Sequence, residues 1–369
     1  MRTWAEIDLD NLEYNIKKIK ELSYDRDIMA IIKADAYGMG AVTIAKELSK
    51  MGVKIFGVSS LEEGIELRNN GIDDEILILA GIFNDELKEA ERKNLQVTLT
   101  DLSQIEYISE KELSLKVHIK VDTGMGRVGF TVEEGKTAID ICREKNIEVV
   151  GVYSHLSVSD ESDEESINYT KKQIEKFKDF EKLEEIKYIH ILNSGGILKF
   201  SETPQSNLVR AGIIMYGVYG EGVIEDLKRV FTLKSRILFL KELKEDIDIS
   251  YGRLGKGYRN DLIATVTVGY ADGFRREFSN KGTIEVHGIA CKIVGKVCMD
   301  MLMIKIPDEL KNRVKVGDEV TVMGEDIFEK SVMIGSSIYE LFTGLSRRVS
   351  RVYLKHGKPY SVNSLIGKL

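Results

Sequence analysis

The sequence predicts an α/β protein: a (β/α)8 TIM-type barrel followed by a mostly antiparallel β domain. Three observations carry that expectation. Up to residue 211, eight short apolar runs alternate with segments of helical periodicity, the signature of a parallel sheet with right-handed crossovers. Beyond Thr232 the helical pattern almost disappears, and short alternating stretches are broken by Gly282, Gly288, Gly295 and Gly317. The chain has 369 residues, enough for two units. An open doubly wound sheet is the competing arrangement. No Gly-x-Gly-x-x-Gly turn follows the first strand, which weakens its dinucleotide-binding form.

The elements follow in order. Residues 4–10 alternate apolar and polar side chains and open a strand, and 12–22 carry apolar residues at helical spacing. Barrel strands are expected at 28–34, 54–58, 76–80, 96–99, 116–121, 149–153, 188–192 and 208–211. Helices are expected at 42–50, 61–69, 85–93, 103–111, 133–145 and 165–183, with a shorter one at 196–200. The antiparallel region should hold strands at 236–240, 262–268, 283–286, 292–297, 302–306 and 319–322, with 338–342 as its one helix. The units are expected at 10–228 and 229–369, with strand 1–9 joining the second; no Pro-rich or Ser-rich linker separates them.

Composition narrows the function classes. Hydrophobic residues make up 43% and charged residues 31%, and the net charge of −7 is spread along the chain. No basic block points to nucleic acid, and no amphipathic basic helix or long apolar run points to a membrane. The N-terminus lacks a signal-peptide core. Cys142, Cys291 and Cys298 have no metal-ligand spacing and read as reduced thiols of a cytoplasmic protein. No metal site is expected.

Barrel enzymes place their chemistry at the C-terminal ends of the strands. Lys33 stands at the first such end, where burial disfavours its charge and suits it to a Schiff base with an aldehyde cofactor. The competing reading is a lysine that ends a strand and points to water. Lys120, Asp122 and Arg127 cluster at the fifth end, His155 follows the sixth, Asn193 and Ser194 the seventh, and Arg210 and Gly212 the eighth. A phosphate needs several N–H and O–H donors. Asn193-Ser194-Gly195-Gly196 and the amides of Gly212 and Ile213 offer them at the last two strands, a common location in barrels. Ordinary Gly/Ser turns remain the alternative at each place.

Several blocks in combination resemble the alanine racemases, a fold-type III pyridoxal 5'-phosphate (PLP) family: AIIKADAYGMG at 30–40, KVDTGMGRVG at 120–129, LVRAGIIMYG at 208–217, SYG at 250–252, VGYADG at 268–273, VCMDM at 297–301 and FTGLSRRVSR at 342–351. The resemblance implies that Lys33 is the PLP lysine and one of two catalytic bases. Tyr37 would reach the phosphate, and Arg210 would face the ring nitrogen. An arginine there keeps its proton and leaves the ring a weak electron sink, which favours proton exchange over transamination. Arg127 would bind the substrate carboxylate and the PLP phenolic oxygen. Lys120 corresponds to a lysine that is often carbamylated in the family; pairing with Asp122 is the simpler alternative.

Racemisation needs a base on each face of the α-carbon. The resemblance makes Tyr251 the second, with His155 as its hydrogen-bond partner. Met299 would offer its amide to the carboxylate, with Asp300 supporting beside it and Tyr270 at the entrance. It further implies a homodimer with shared active sites, Tyr251 and Met299 being supplied in trans, and interconversion of L- and D-alanine for peptidoglycan. Asp35 and Met39 depart from the usual asparagine and histidine. Arg347 stands where some members have a tyrosine that touches the phosphate and narrows the entrance, so serine or broader specificity is one alternative. A non-catalytic PLP-binding homeostasis protein and a decarboxylase of the same fold type are the others.

Overall fold

The computed structural model describes residues 1–203, 206–219, 222–224 and 226–368, so position 369, the last of the expected second unit, lies outside the described residues. The chain opens on a strand, β1 (Thr3–Asp8). The next eight are short and apolar: β2 (Asp27–Ile31), β3 (Ile55–Val58), β4 (Glu75–Ile78), β5 (Gln96–Leu99), β6 (Lys116–Lys120), β7 (Glu148–Tyr153), β8 (Tyr188–His190) and β9 (Leu208–Ala211). They form one parallel sheet in the order β8-β7-β6-β5-β4-β3-β2-β9. The ends meet where the Asn207 and Arg210 amides donate to the Ile189 and Leu192 carbonyls, at 3.0 and 2.9 Å. The barrel is thereby nearly closed.

Strands buried on both faces read as continuous apolar runs, as in β3; all four residues of β9 are buried as well, although one of them is Arg210. Helices start where a short polar side chain caps the first turn. Asp101 accepts from the Ser103 amide and Asp163 from the Ser166 amide, opening Leu102–Glu110 and Glu164–Phe177. Each such cap is worth about 1 kcal/mol. The expected long helix at 165–183 ends at Phe177 and tightens into a 3-10 turn, Lys178–Lys182.

The second sheet has ten strands and is built around the long strand Phe231–Glu242. β1 pairs antiparallel with it and parallel with Ser350–Lys355, so the N-terminal strand sits inside this sheet. The expected strand at 292–297 is not there. The pairing segment is Ile289–Lys292, a hairpin partner of Thr283–Val286, and the chain then turns at Gly295, whose φ of 84° a β-branched residue would resist. A second helix, Ile327–Met333, precedes Ile338–Thr343. Its Lys330 is buried, ion-paired with Asp326 at 2.5 Å and bonded to the Val322 carbonyl, which hid its apolar face from a periodicity reading. No helix among the described residues is long and apolar enough to cross a membrane.

Candidate active site

The ladder of β2 continues one residue beyond the strand, through the Ile32 amide to the Gly57 carbonyl, and the backbone then reverses hand. Ala34, Asp35, Ala36 and Tyr37 have φ of 51, 55, 54 and 56°. Left-handed L-residues cost roughly 1–2 kcal/mol each, so such a turn persists only where its surroundings fix it. Here they do. The Ala36 amide reaches the Ile32 carbonyl at 2.8 Å, and the Gly40 amide reaches the Asp35 carbonyl at 2.9 Å. Glu63 accepts the amides of Ala34 and Ser59, at 2.7 and 2.6 Å, tying the ends of β2 and β3 together. Asp35 accepts the Ala41 amide at 2.7 Å and caps the helix Ala41–Lys50. Met39 is fully buried, and its carbonyl receives the Tyr353 hydroxyl. Both unusual residues therefore serve the turn.

From the second domain Arg351 donates to the Gly38 carbonyl at 2.9 Å. Gly38 has φ of 81°, and a Cβ there would lie 2.4 Å from the Phe342 carbonyl oxygen. Gly38→Ala is therefore expected to destabilise the fold by about 2 kcal/mol or more, read as an earlier thermal unfolding transition. An unchanged transition would mean that the turn is not anchored there.

The turn delivers Lys33 to a cavity of about 570 Å³ at the C-terminal ends of the barrel strands. Burial, then Arg127, push its ammonium pKa down, with Glu63 opposing. Lys120 is more deeply enclosed. Its Nζ donates to the Val121 carbonyl at 2.7 Å, and burial followed by Arg210 lowers its pKa to about 7. The simple pairing of Lys120 with Asp122 does not form. Asp122 instead accepts the amides of Gly124, Met125, Gly126 and Arg127 at 2.7–3.2 Å, shaping the loop that carries Arg127.

Arg210 is buried, and its two Nη groups reach the carbonyls of Ser154, His190 and Ile191 and the Nδ1 atoms of His155 and His190, at 2.8–3.2 Å. Nε–H is the donor left to the cavity. His155 is held neutral by burial and by Arg210, Arg127, Lys120 and Lys33, its pKa well below the ordinary range. Since its Nδ1 accepts from Arg210, its Nε2 carries the proton.

Tyr37, Ser194 and Gly212 converge on the same cavity, and the Gly212 amide donates to Ser194 Oγ at 3.2 Å. Asn193 holds the loops together: its Oδ1 accepts from Gly196 N and Ser159 Oγ, and its Nδ2 donates to Leu156 O. The Ile213 side chain is fully buried in the core.

Other expected residues lie elsewhere in the chain. Tyr251, Met299 and Tyr270 are 72, 53 and 44% exposed on the second domain and are not on the cavity wall. Asp300 pairs with Arg348, which also binds Asp272, so one arginine joins the 268–273, 297–301 and 342–351 blocks. Arg347, expected at the phosphate, is exposed and is not on the cavity wall of this chain. Tyr37 has Tyr216 and Tyr339 beside it, with ring centroids 5.9 and 6.1 Å away, and of the two Tyr339 lines the cavity. Tyr339 lies in the 338–342 stretch read only as a helix; a tyrosine on the apolar face of a helix otherwise buried at Ile338, Leu341 and Phe342 was the available signal. Tyr153, closing β7, was also missed: it lines the cavity beneath both Lys120 and Arg210, each 5.4 Å from its ring.

A larger cleft of about 740 Å³ lies between Ala41–Lys50 and Lys358–Ser364. Its buried carboxylate, Glu47, is already paired with Lys50 and Lys355 at 2.6 Å each, so it offers no poised group.

The cavity thus has two lysines of depressed pKa, two arginines and a cluster of hydroxyls, a combination suited to a carbonyl group on an anionic molecule. Residues 7–220 match the family Alanine racemase, N-terminal domain, and residues 230–353 match Alanine racemase, C-terminal domain. An alanine racemase of Fusobacterium nucleatum is 44% identical over 352 residues, covering 95% of this chain and 99% of that protein. Alanine racemase 1 of Clostridium acetobutylicum is 37% identical, covering 98% of each. Among solved structures, alanine racemase of Clostridium difficile superposes with a TM-score of 0.90 at 35% identity, covering 99% of this chain and 98% of that one. The Bacillus anthracis enzyme with bound L-Ala-P gives 0.88 at 29% identity, with 99 and 98% covered. With both halves of the sequence matched and the whole chain superposed, this protein belongs to the alanine racemase family.

Proposed function

We propose that this enzyme interconverts L- and D-alanine with PLP, in a site completed by a second copy of the chain. The observation that carries the reading is Lys33: a lysine held by an over-determined left-handed turn, its ammonium disfavoured, facing a cavity rich in positive charge. The walls fit the cofactor. A Cβ at Gly212 would lie 2.6 Å from Tyr37 Oη, and one at Gly195 2.5 Å from Tyr219 Oη, so glycines keep the backbone open where a phosphate would approach. Tyr37, Ser194 and the nearby amides would hold that phosphate, and Arg210 Nε–H would meet the ring nitrogen.

When bound, PLP supplies a carbonyl for the substrate amine and a ring that draws electrons from the α-carbon. The chain does the rest. Lys33 Nζ takes or returns the α-proton on one face. Tyr251 of the second copy does so on the other, its oxygen receiving the His155 Nε2–H, which stabilises the phenolate that tyrosine's ordinary pKa of ~10 would disfavour. Arg127 and the second copy's Met299 amide orient the carboxylate. Arg210, permanently charged, donates without surrendering its proton. Lys120, with the lowered pKa that a carbamate requires, would become anionic on carbamylation and steady Arg127. Exposure of Tyr251, Met299 and Tyr270 supports the homodimer. D-alanine so formed in the cytoplasm would supply peptidoglycan.

The test is a panel of L-amino acids in 2H2O with added PLP, resolved by chiral chromatography and mass spectrometry. D-alanine carrying deuterium at the α-carbon should form fastest, with serine disfavoured on the order of 10²-fold. No deuterium at the α-carbon of alanine would contradict the proposal.

A further inference from the structure

The interior of a barrel is ordinarily filled by Val, Ile and Leu. Here a line of polar side chains crosses it from Arg210 to the opposite end. His190 Nδ1 lies 2.9 Å from Arg210 Nη1, and His190 Nε2 lies 3.1 Å from His118 Nδ1. His118 Nε2 is 2.8 Å from Gln96 Oε1, and Gln96 Nε2 is 2.6 Å from Glu75 Oε2. Lys187 and Tyr188 bind the same carboxylate at 2.6 and 3.1 Å. His118 and His190 are fully buried, and Gln96 is 5% exposed. Glu75 and Gln96 are the first residues of β4 and β5, at the end of the barrel away from the cavity.

The backbone is shaped around this line. The β6–β7 register shifts between Val117 and His118, and a Cβ at Gly151 would fall 2.0 Å from His118 Nδ1. Tyr153 stacks on His190 at 4.8 Å, and Tyr188 on His118 at 5.9 Å.

Only one set of proton positions satisfies every link. A guanidinium cannot accept, so His190 Nδ1 must be bare and Nε2 must carry the proton. His118 Nδ1 then accepts, and its Nε2–H donates to Gln96 Oε1. The Gln96 amide donates to Glu75, whose carboxylate can only accept. Burial favours the neutral form of both imidazoles, which the relay requires. The line therefore has one direction, from a fixed cation to a fixed anion.

We propose that Gln96 and Glu75 are positioning residues for the active site: they fix which nitrogen of His118 and His190 bears the proton, and so hold Arg210 with its Nε–H aimed at the cavity. Without the Gln96 acceptor, His118 can move its proton to Nδ1. His190 would then carry its own proton on Nδ1, facing the Arg210 Nη1–H donor to donor, and the guanidinium must turn. The consequence for catalysis rests on the proposed role of Arg210; the tautomer itself does not.

The test records 15N spectra of histidine-labelled protein, with and without PLP, signals being assigned by single histidine replacements. In the wild type both His118 and His190 should be Nε2–H. Gln96→Leu should give a tautomer mixture at His190 and lower kcat about tenfold with little change in KM, a loss on the scale of one buried hydrogen bond. Glu75→Gln keeps the shape and removes the anion, and should move both readouts the same way by a smaller amount; it decides the matter if Gln96→Leu does not fold. A wild-type His190 protonated on Nδ1, or variants that keep the wild-type tautomers whatever happens to kcat, would overturn the proposal. A wild type that showed the tautomers but did not racemise alanine would instead overturn the functional reading.

Discussion

Lys33→Ala is expected to abolish alanine racemisation, a loss of about 10³-fold or more, because in the proposed function one side chain would provide both the bond to the cofactor and one of the two bases. Two lysines in the cavity have depressed pKa values, Lys33 and Lys120. Their surroundings separate them. Lys120 is 2% exposed and its Nζ is committed to the Val121 carbonyl. Lys33 opens from the end of the left-handed turn with its head in the cavity. Borohydride reduction of the PLP-loaded wild type should therefore fix a pyridoxyl group on Lys33, located by peptide mapping. A label on Lys120 would contradict the assignment. Lys33 lies at the rim of the turn, not in the core, so the variant should unfold at close to the wild-type temperature.

Tyr251→Phe should cost about 10²- to 10³-fold in turnover while leaving cofactor loading intact, since the change removes one oxygen from a group outside the barrel cavity. A sharper signature follows from the two-base scheme. With one base left, Lys33 can still remove and return the α-proton on its own face. The variant should exchange solvent deuterium into one enantiomer of alanine and not convert it into the other. Equal loss of exchange for both enantiomers would mean that Tyr251 does something other than act as a base.

The barrel was legible because its strands are short, mostly apolar runs between helical segments; β5 and β9 fall where the runs of 96–99 and 208–211 predict. Strand ends were less so. Residues 32–34 look like a continuation of β2, and nothing in their side chains announces a left-handed turn, whose hand is imposed by Glu63, Asp35 and the remote Arg351. In the second domain, alternation located Thr283–Val286 and Leu302–Ile306 but misplaced the strand between them, since Gly295 breaks a run that otherwise alternates. Of the site, the motif blocks and strand ends named Lys33, Tyr37, Lys120, Arg127, His155, Asn193, Ser194, Arg210 and Gly212, which line the cavity, and missed Tyr153 and Tyr339; the line from His190 to Glu75 could not be read. Its members come from four strands and meet only when the barrel closes.

The central claim is that Lys33 of one copy and Tyr251 of another work on one substrate. Mixing the separately inactive Lys33→Ala and Tyr251→Phe proteins, under conditions that let subunits exchange, tests it directly. Each hybrid dimer would contain one site with both bases and one with neither, so random pairing should restore about one quarter of wild-type racemisation. Hybrids that form, as counted by native mass spectrometry, and yet stay inactive would contradict it.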